Sequence, residues 1–223
     1  VNLGCKKRVS SGLNQLFDTV EEAIILEDDC LPDPTFFPFC DELLERYRED
    51  TRVMAISGNN FQFGRRRTPY SYYFSRYNHC WGWATWRRAW QHYDGEMRLW
   101  PEVRDGQWLQ DILGSKRAAL YWRFIFQMCY EGRRDSWAYP WTFSCWVQSG
   151  LSILPSVNLV SNLGLEEAVT HTRRRSRFTE VPTQAIEFPL RHPPFVVRDD
   201  RADRRTEDTI FSKNALNRPR WLL

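Results

Sequence analysis

The chain has 223 residues, enough for one domain with a sizeable core but short of two full ones. Its 31 basic and 28 acidic residues leave a formal charge of +3, too balanced to argue for wholesale nucleic-acid binding. The six cysteines form no C-x-x-C pair, which leaves little support for a zinc finger, and no apolar run approaches the ~20 residues of a membrane span. With nothing like a leader at its start, the chain is expected to be cytoplasmic, with reduced and mostly buried thiols. Aromatic residues make up 15% of the chain and concentrate between Tyr70 and Trp146, which fits either a heavy core or an aromatic-lined cleft.

In chain order, Val9, Leu13, Leu16, Phe17 and Val20 recur at helical spacing and predict an amphipathic helix of about three turns. Ala23–Leu26 is an apolar strand that runs straight into Glu27, Asp28 and Asp29, then Cys30, Leu31 and Pro32. Asp33 followed by Pro34 is a start signal for a second helix, carrying Phe36, Phe37, Cys40, Leu43, Leu44 and Tyr47 to about Glu49. Arg52–Ser57 reads as a second buried strand before Gly58, with the polar and aromatic loop Asn59–Phe63 just past its end. Gly64–Pro69 is a basic loop, Tyr70–Arg76 an extended segment, and Ala84–Trp90 a helix that follows Trp81-Gly82-Trp83. The indoles of this block are expected to wall a cleft, with Gly82 permitting a close backbone approach.

Further helices are expected over about Gly106–Leu113, Lys116–Glu131 and Pro140–Gln148. Ser152–Val160 is strand-like, and Ser161–Thr172 is a loop holding His171 that leads into the basic cluster Arg173–Arg177. From Phe178 onward the expectation is an extended tail that packs poorly after about Asp200, with one short helix near Glu207–Leu216. The domain reading is therefore residues 1–177 plus a tail over 178–223.

The acid triplet carries the chemistry. Adjacent carboxylates repel one another by roughly 1 kcal/mol per pair even in water, so such a cluster calls for a cation. Hard oxygen donors suit Mg²⁺ or Mn²⁺, which take one or two protein carboxylates and complete their shells with water and phosphate oxygens. The triplet also sits at the C-terminal end of a strand in a helix-then-strand order, where open α/β sheets bind ligands. The plain alternative is a solvated loop whose acids favour the following helix N-terminus.

Ile24-Ile25-Leu26-Glu27-Asp28-Asp29, followed by Pro32-Asp33-Pro34-Thr35-Phe36-Phe37 and Ile56-Ser57-Gly58, resembles the metal-binding half of a GT-A glycosyltransferase. The similarity is to the N-acetylglucosaminyltransferase I type. The Trp81–Trp86 block, Asn158–Gly164 and Thr170-His171-Thr172 resemble more closely a bacterial group of nucleotide-diphospho-sugar transferase-like proteins, some labelled hemolytic-protein-like.

That resemblance implies an α/β GT-A fold, a Rossmann-like mixed sheet flanked by helices, here expected to lack its N-terminal nucleotide-binding strands. It implies a metal-dependent, inverting transferase that uses a nucleotide-diphosphate sugar and an acceptor glycan or other hydroxyl compound, without nucleic acid or an integral membrane segment. Asp29 would ligate Mn²⁺ or Mg²⁺ together with His171, and Glu27 and Asp28 would contact sugar and ribose hydroxyls. Asn2, Lys6 and Arg8 would lie toward the donor, with Trp81, Gly82 and Trp83 lining the cleft. Where the family places an acidic base, this chain has Ala138, which leaves Asp135 as its candidate base. The alternative is a non-catalytic relative that keeps the fold and binds a sugar, a nucleotide or a protein.

Overall fold

A computed structural model describes residues 3–163 and 181–211. Helix α1 (Gly4–Phe17) leads into β1 (Glu22–Ile25), the short β2 (Cys30–Pro32), α2 (Phe36–Arg46) and β3 (Val53–Ser57). β4 (Tyr72–Ser75) and β5 (Trp83–Trp86) follow, then the helices α3 (Arg87–Trp90), α4 (Trp100–Asp105), α5 (Trp108–Leu113), α6 (Lys116–Tyr130) and α7 (Ala138–Val147). β6 (Leu151–Pro155), β7 (Val160–Asn162) and α8 (Asp200–Thr206), continued by a π-helical turn over Glu207–Phe211, complete the described chain.

Five strands form one mixed sheet in the order β1-β5-β3-β6-β4, and β2 pairs with β7 in a second, two-stranded sheet. β5 is antiparallel to both β1 and β3, whereas β3 is parallel to β6, so β1, β3 and β6 all run the same way. Their C-terminal ends share one edge of the sheet. Helices cover both faces. Phe36, Phe39, Cys40, Leu43 and Leu44 of α2 pack on Val53, Ile56, Ala84 and Trp86, while α1 and α3–α7 pack on Met54, Ala55 and Trp83. This is the α/β architecture of a mixed sheet between helical layers expected from the sequence.

The segment from Trp83 to Trp86 is a strand rather than the start of a helix. It lies between β1 and β3 with all four residues buried, and the Thr85 hydroxyl donates to the Met54 carbonyl at 2.7 Å. A β-branched residue beside two indoles fits a pleated interior strand. Helix α4 lies outside the sequence reading, and α2 begins at Phe36 because the Asp33 carboxylate first closes a turn onto the Thr35 N–H and hydroxyl.

Residues 200–211 are well packed, contrary to expectation, and the chain after Phe211 lies outside the described residues. Ala202, Asp203 and Thr206 are buried, and the Asp203 carboxylate accepts from the Ser75 hydroxyl (2.5 Å) and from Arg76 Nε and Arg198 Nη1, both at 3.3 Å. Gln62 donates to the Ala202 carbonyl and the Thr206 hydroxyl. Side-chain polar anchoring, invisible to hydrophobic periodicity, holds α8 against β4. The stretch 181–199 is extended as expected, yet Ile186 and Leu190 fill the α2 side of the core. No helix among the described residues is long and apolar enough to cross a membrane.

Candidate functional site

The acid triplet lies in the loop between β1 and β2, at the edge where β1, β3 and β6 end. Two pairings fix the loop. β2 runs antiparallel to β7 with Cys30 opposite Asn162 and Pro32 opposite Val160, and the Leu163 N–H donates to the Asp29 carbonyl at 2.7 Å. Within the loop the Cys30 N–H closes onto the Glu27 carbonyl at 3.0 Å.

Glu27 is half-buried and takes a hydrogen bond from the Trp137 indole N–H at 3.1 Å. Burial holds its carboxyl above the usual range, the indole bond opposes that, and the charges of Asp29 and Asp28 add to it. Asp28 is exposed and Asp29 is half-buried. Among the described residues no ion pair reaches Glu27, Asp28 or Asp29. These are three carboxylates without an ion-pair partner among the described residues, and their hard oxygens are of the kind that suits a divalent cation. Yet neither these three nor any other three His, Cys, Asp or Glu side chains among the described residues gather into a metal-holding group.

Trp137 is the residue that sequence reasoning did not place at the site. It immediately precedes α7, is buried, and stacks on Trp83 with ring centroids 5.3 Å apart and planes at 21°. No local pattern links positions 27 and 137. Three thiols lie in the same field: burial raises the pKa of Cys5, Cys30 and Cys80, Cys80 to about 12, the nearby carboxylates add to it, and at Cys30 backbone hydrogen bonds oppose it.

The remaining expected site residues disperse. Trp83 is a core residue, 2% exposed, and supports Trp137 rather than facing a cleft. Trp86, Trp90, Trp100, Trp122, Trp141 and Trp146 are likewise buried, so the aromatic concentration is mainly core. Trp81 is half-buried and meets Phe61 edge-on at 5.2 Å. At Gly82 the close approach is real, because its carbonyl accepts the Gly58 N–H at 2.7 Å and a Cβ there would lie 2.7 Å from Val160 Cγ2.

Lys6 pairs with Glu96 at 3.0 Å, and Arg8 is exposed on α1. The Asp135 carboxylate is committed to that helix. It accepts the backbone N–H groups of Cys5 (2.7 Å) and Lys6 (3.0 Å), capping α1 from a distant part of the chain. A carboxylate holding two amides is poorly placed to act as a base. Ala138, the first residue of α7, brings no proton acceptor. Asn2 and His171 lie outside the described residues.

Compared with protein-family models and with curated proteins, the chain matches none. Its class is set by fold and site: an α/β protein whose mixed sheet gathers the C-terminal ends of three like-directed strands at an acidic edge.

Proposed function

We propose that the chain is a GT-A-type, metal-dependent glycosyltransferase acting on a nucleotide-diphosphate sugar, cytoplasmic, with a hydroxyl compound as acceptor. The observation that carries this reading is the triplet Glu27-Asp28-Asp29, without an ion-pair partner among the described residues, at the C-terminal end of β1, where α/β sheets bind ligands. In this reading Asp29 is the direct ligand of Mn²⁺ or Mg²⁺, with His171 its second candidate, and the ion offsets the charge that develops on a departing nucleoside diphosphate. Glu27, oriented by Trp137, and Asp28 contact sugar and ribose hydroxyls. Displacement at the anomeric carbon by the acceptor oxygen inverts its configuration.

The test is calorimetry of the chain with Mn²⁺ and a panel of nucleotide sugars. Metal-dependent binding is expected in the native chain and its loss in Asp29→Asn, with the fold unchanged. Tight metal-dependent binding retained by Asp29→Asn removes the assignment.

One observation favours a second reading, a domain that binds the donor without transferring it. Asp135 is occupied by α1 and position 138 is alanine, so neither candidate position supplies a base. Loss of a general base typically lowers rate by 10²–10⁴. Donor hydrolysis compared between the native chain and Ala138→Asp separates the two: a large gain in the variant supports a transferase deprived of its base, equal measurable rates point to a base elsewhere, and binding with no hydrolysis in either protein supports the binding domain.

A further inference from the structure

The loops that follow the parallel neighbours β3 and β6 enclose, with residues 181–184, a cavity of about 480 Å³ on the same edge as the acid triplet. Its walls are pre-formed. The Asn60 N–H donates to Asn158 Oδ1 at 2.9 Å, Asn60 Nδ2 to the Pro155 carbonyl at 2.5 Å, and Asn158 Nδ2 to the Val181 carbonyl at 3.1 Å. The Gln184 N–H closes the third side onto the Asn158 carbonyl at 2.8 Å. Both asparagine amides are therefore occupied in holding the walls together.

What faces a guest is different in kind. The Ser156 hydroxyl and the Gln184 carboxamide have no hydrogen-bond partner among the described residues, and of the Arg66 guanidinium only Nε is used, toward the Thr68 carbonyl at 3.3 Å. No carboxylate is among the described lining residues. Phe63 adds a half-buried ring, backed by Phe61 at 6.4 Å and held at a left-handed φ of 53°. Left-handed backbone at a bulky residue is strained and persists where surrounding structure enforces it. Hydroxyl partners, one open cation and a ring face together describe a polyhydroxyl ring that carries a negative charge.

The cavity and the triplet are joined by one segment. Asn158 lines the cavity, the Leu159 N–H donates to the Gly58 carbonyl at 2.8 Å, Val160–Asn162 pair with β2, and Leu163 holds Asp29. Asn158 and Leu163 are five residue steps apart, a span of at most roughly 17 Å in extended chain.

We propose that this cavity receives the acceptor and that the acceptor is an acidic sugar, its anionic group on Arg66, its hydroxyls on Ser156 and Gln184, and its ring on Phe63. The acceptor role rests on the transferase reading; the preference for an acidic sugar rests on the cavity alone. A nucleotide is the other ring-bearing anion, and the test separates the two.

The experiment is calorimetry of the full chain with glucuronate, glucose and uridine monophosphate, each with and without Mn²⁺. Glucuronate is expected to bind without metal and glucose at least tenfold more weakly. Arg66→Gln, a change at an exposed side chain, should weaken glucuronate about tenfold, as loss of a charged hydrogen bond does, and Gln184→Ala should weaken it severalfold. Asp29→Asn should leave it unchanged. Equal binding of glucose and glucuronate, an unchanged Arg66→Gln, or metal-free displacement of glucuronate by the nucleotide overturns the proposal. Glucuronate binding by a chain that takes up no Mn²⁺–nucleotide sinks the transferase reading and keeps the cavity. The reverse result keeps the transferase and removes the cavity's role.

Discussion

The indole N–H of Trp137 donates to the Glu27 carboxylate across 110 residues of sequence, at 3.1 Å. This bond ties the start of α7 to the acid loop after β1, and the Trp83 ring stacked behind Trp137 restricts the indole to that orientation.

Trp137→Phe keeps an aromatic ring against Trp83 but removes the donor. A half-buried carboxylate that loses a hydrogen bond costs about 1–3 kcal/mol. Urea denaturation should show a loss in that range, and Mn²⁺-dependent nucleotide binding should weaken as Glu27 loses its orientation. An unchanged binding isotherm would show that Glu27 is not held for ligand.

Asp135→Ala strips α1 of its cap. Loss of a capping carboxylate costs about 0.5–2 kcal/mol, and in a chain of this size each kcal/mol lowers Tm by about 2–4 °C. Calorimetric melting should register the drop, whereas any donor hydrolysis at a temperature well below Tm should be unaffected. A rate loss of a hundredfold or more in a folded variant would restore Asp135 as the base.

His79 is buried with its Nε2 unpaired among the described residues, and burial holds its imidazole down at about 3. The folded form keeps the ring neutral while the unfolded chain takes up a proton below about 6.5. Stability supplied by this group is thus complete above pH 6.5 and falls as the pH drops toward 3. His79→Phe should flatten the fall in urea midpoint between pH 6.5 and 4. Parallel profiles for the two proteins would show that His79 does not drive the acid limb.

Asp203→Ala removes the acceptor shared by Ser75, Arg76 and Arg198, leaving Arg76 buried with a weaker partner in Asp200 at 3.4 Å. Breaking a buried pair from one side costs about 3–5 kcal/mol. Limited proteolysis should then cut near α8 before the sheet, and the native chain should resist there. Equal resistance of both would mean that Ala202 and Ile210 suffice to hold the segment.

Strands and long helices were legible where periodicity was strong: β1, β3, α2 and α6 fall close to where their apolar residues place them. The loop at Asn59–Phe63 also lies on the expected edge, because a buried parallel strand delivers whatever follows it to its C-terminal end. Trp83–Trp86 misled because a short apolar run carries no length signal to separate a buried strand from a helix. Asp135 misled for a different reason: acidity marks both a base and a helix cap, and only the distant amides of Cys5 and Lys6 decide between them. The packing of α8 was hidden because its anchors are mostly polar, the Asp203 carboxylate with Ser75, Arg76 and Arg198 and the Gln62 carboxamide, beside a single small apolar contact at Ala202.

The position of β6 governs how this chain assembles during synthesis. β6 lies between β3 and β4, which both precede it by a long stretch of chain and do not pair with each other. Until Leu151–Pro155 leaves the ribosome, β3 presents an open edge and β4 has no place in the sheet. Long-range parallel pairing is slow to form, and bare strand edges invite association between chains. Nascent or truncated forms ending before residue 151 are therefore expected to depend on chaperones, and a chain cut short anywhere in α4–α7 should yield aggregates rather than a smaller soluble domain.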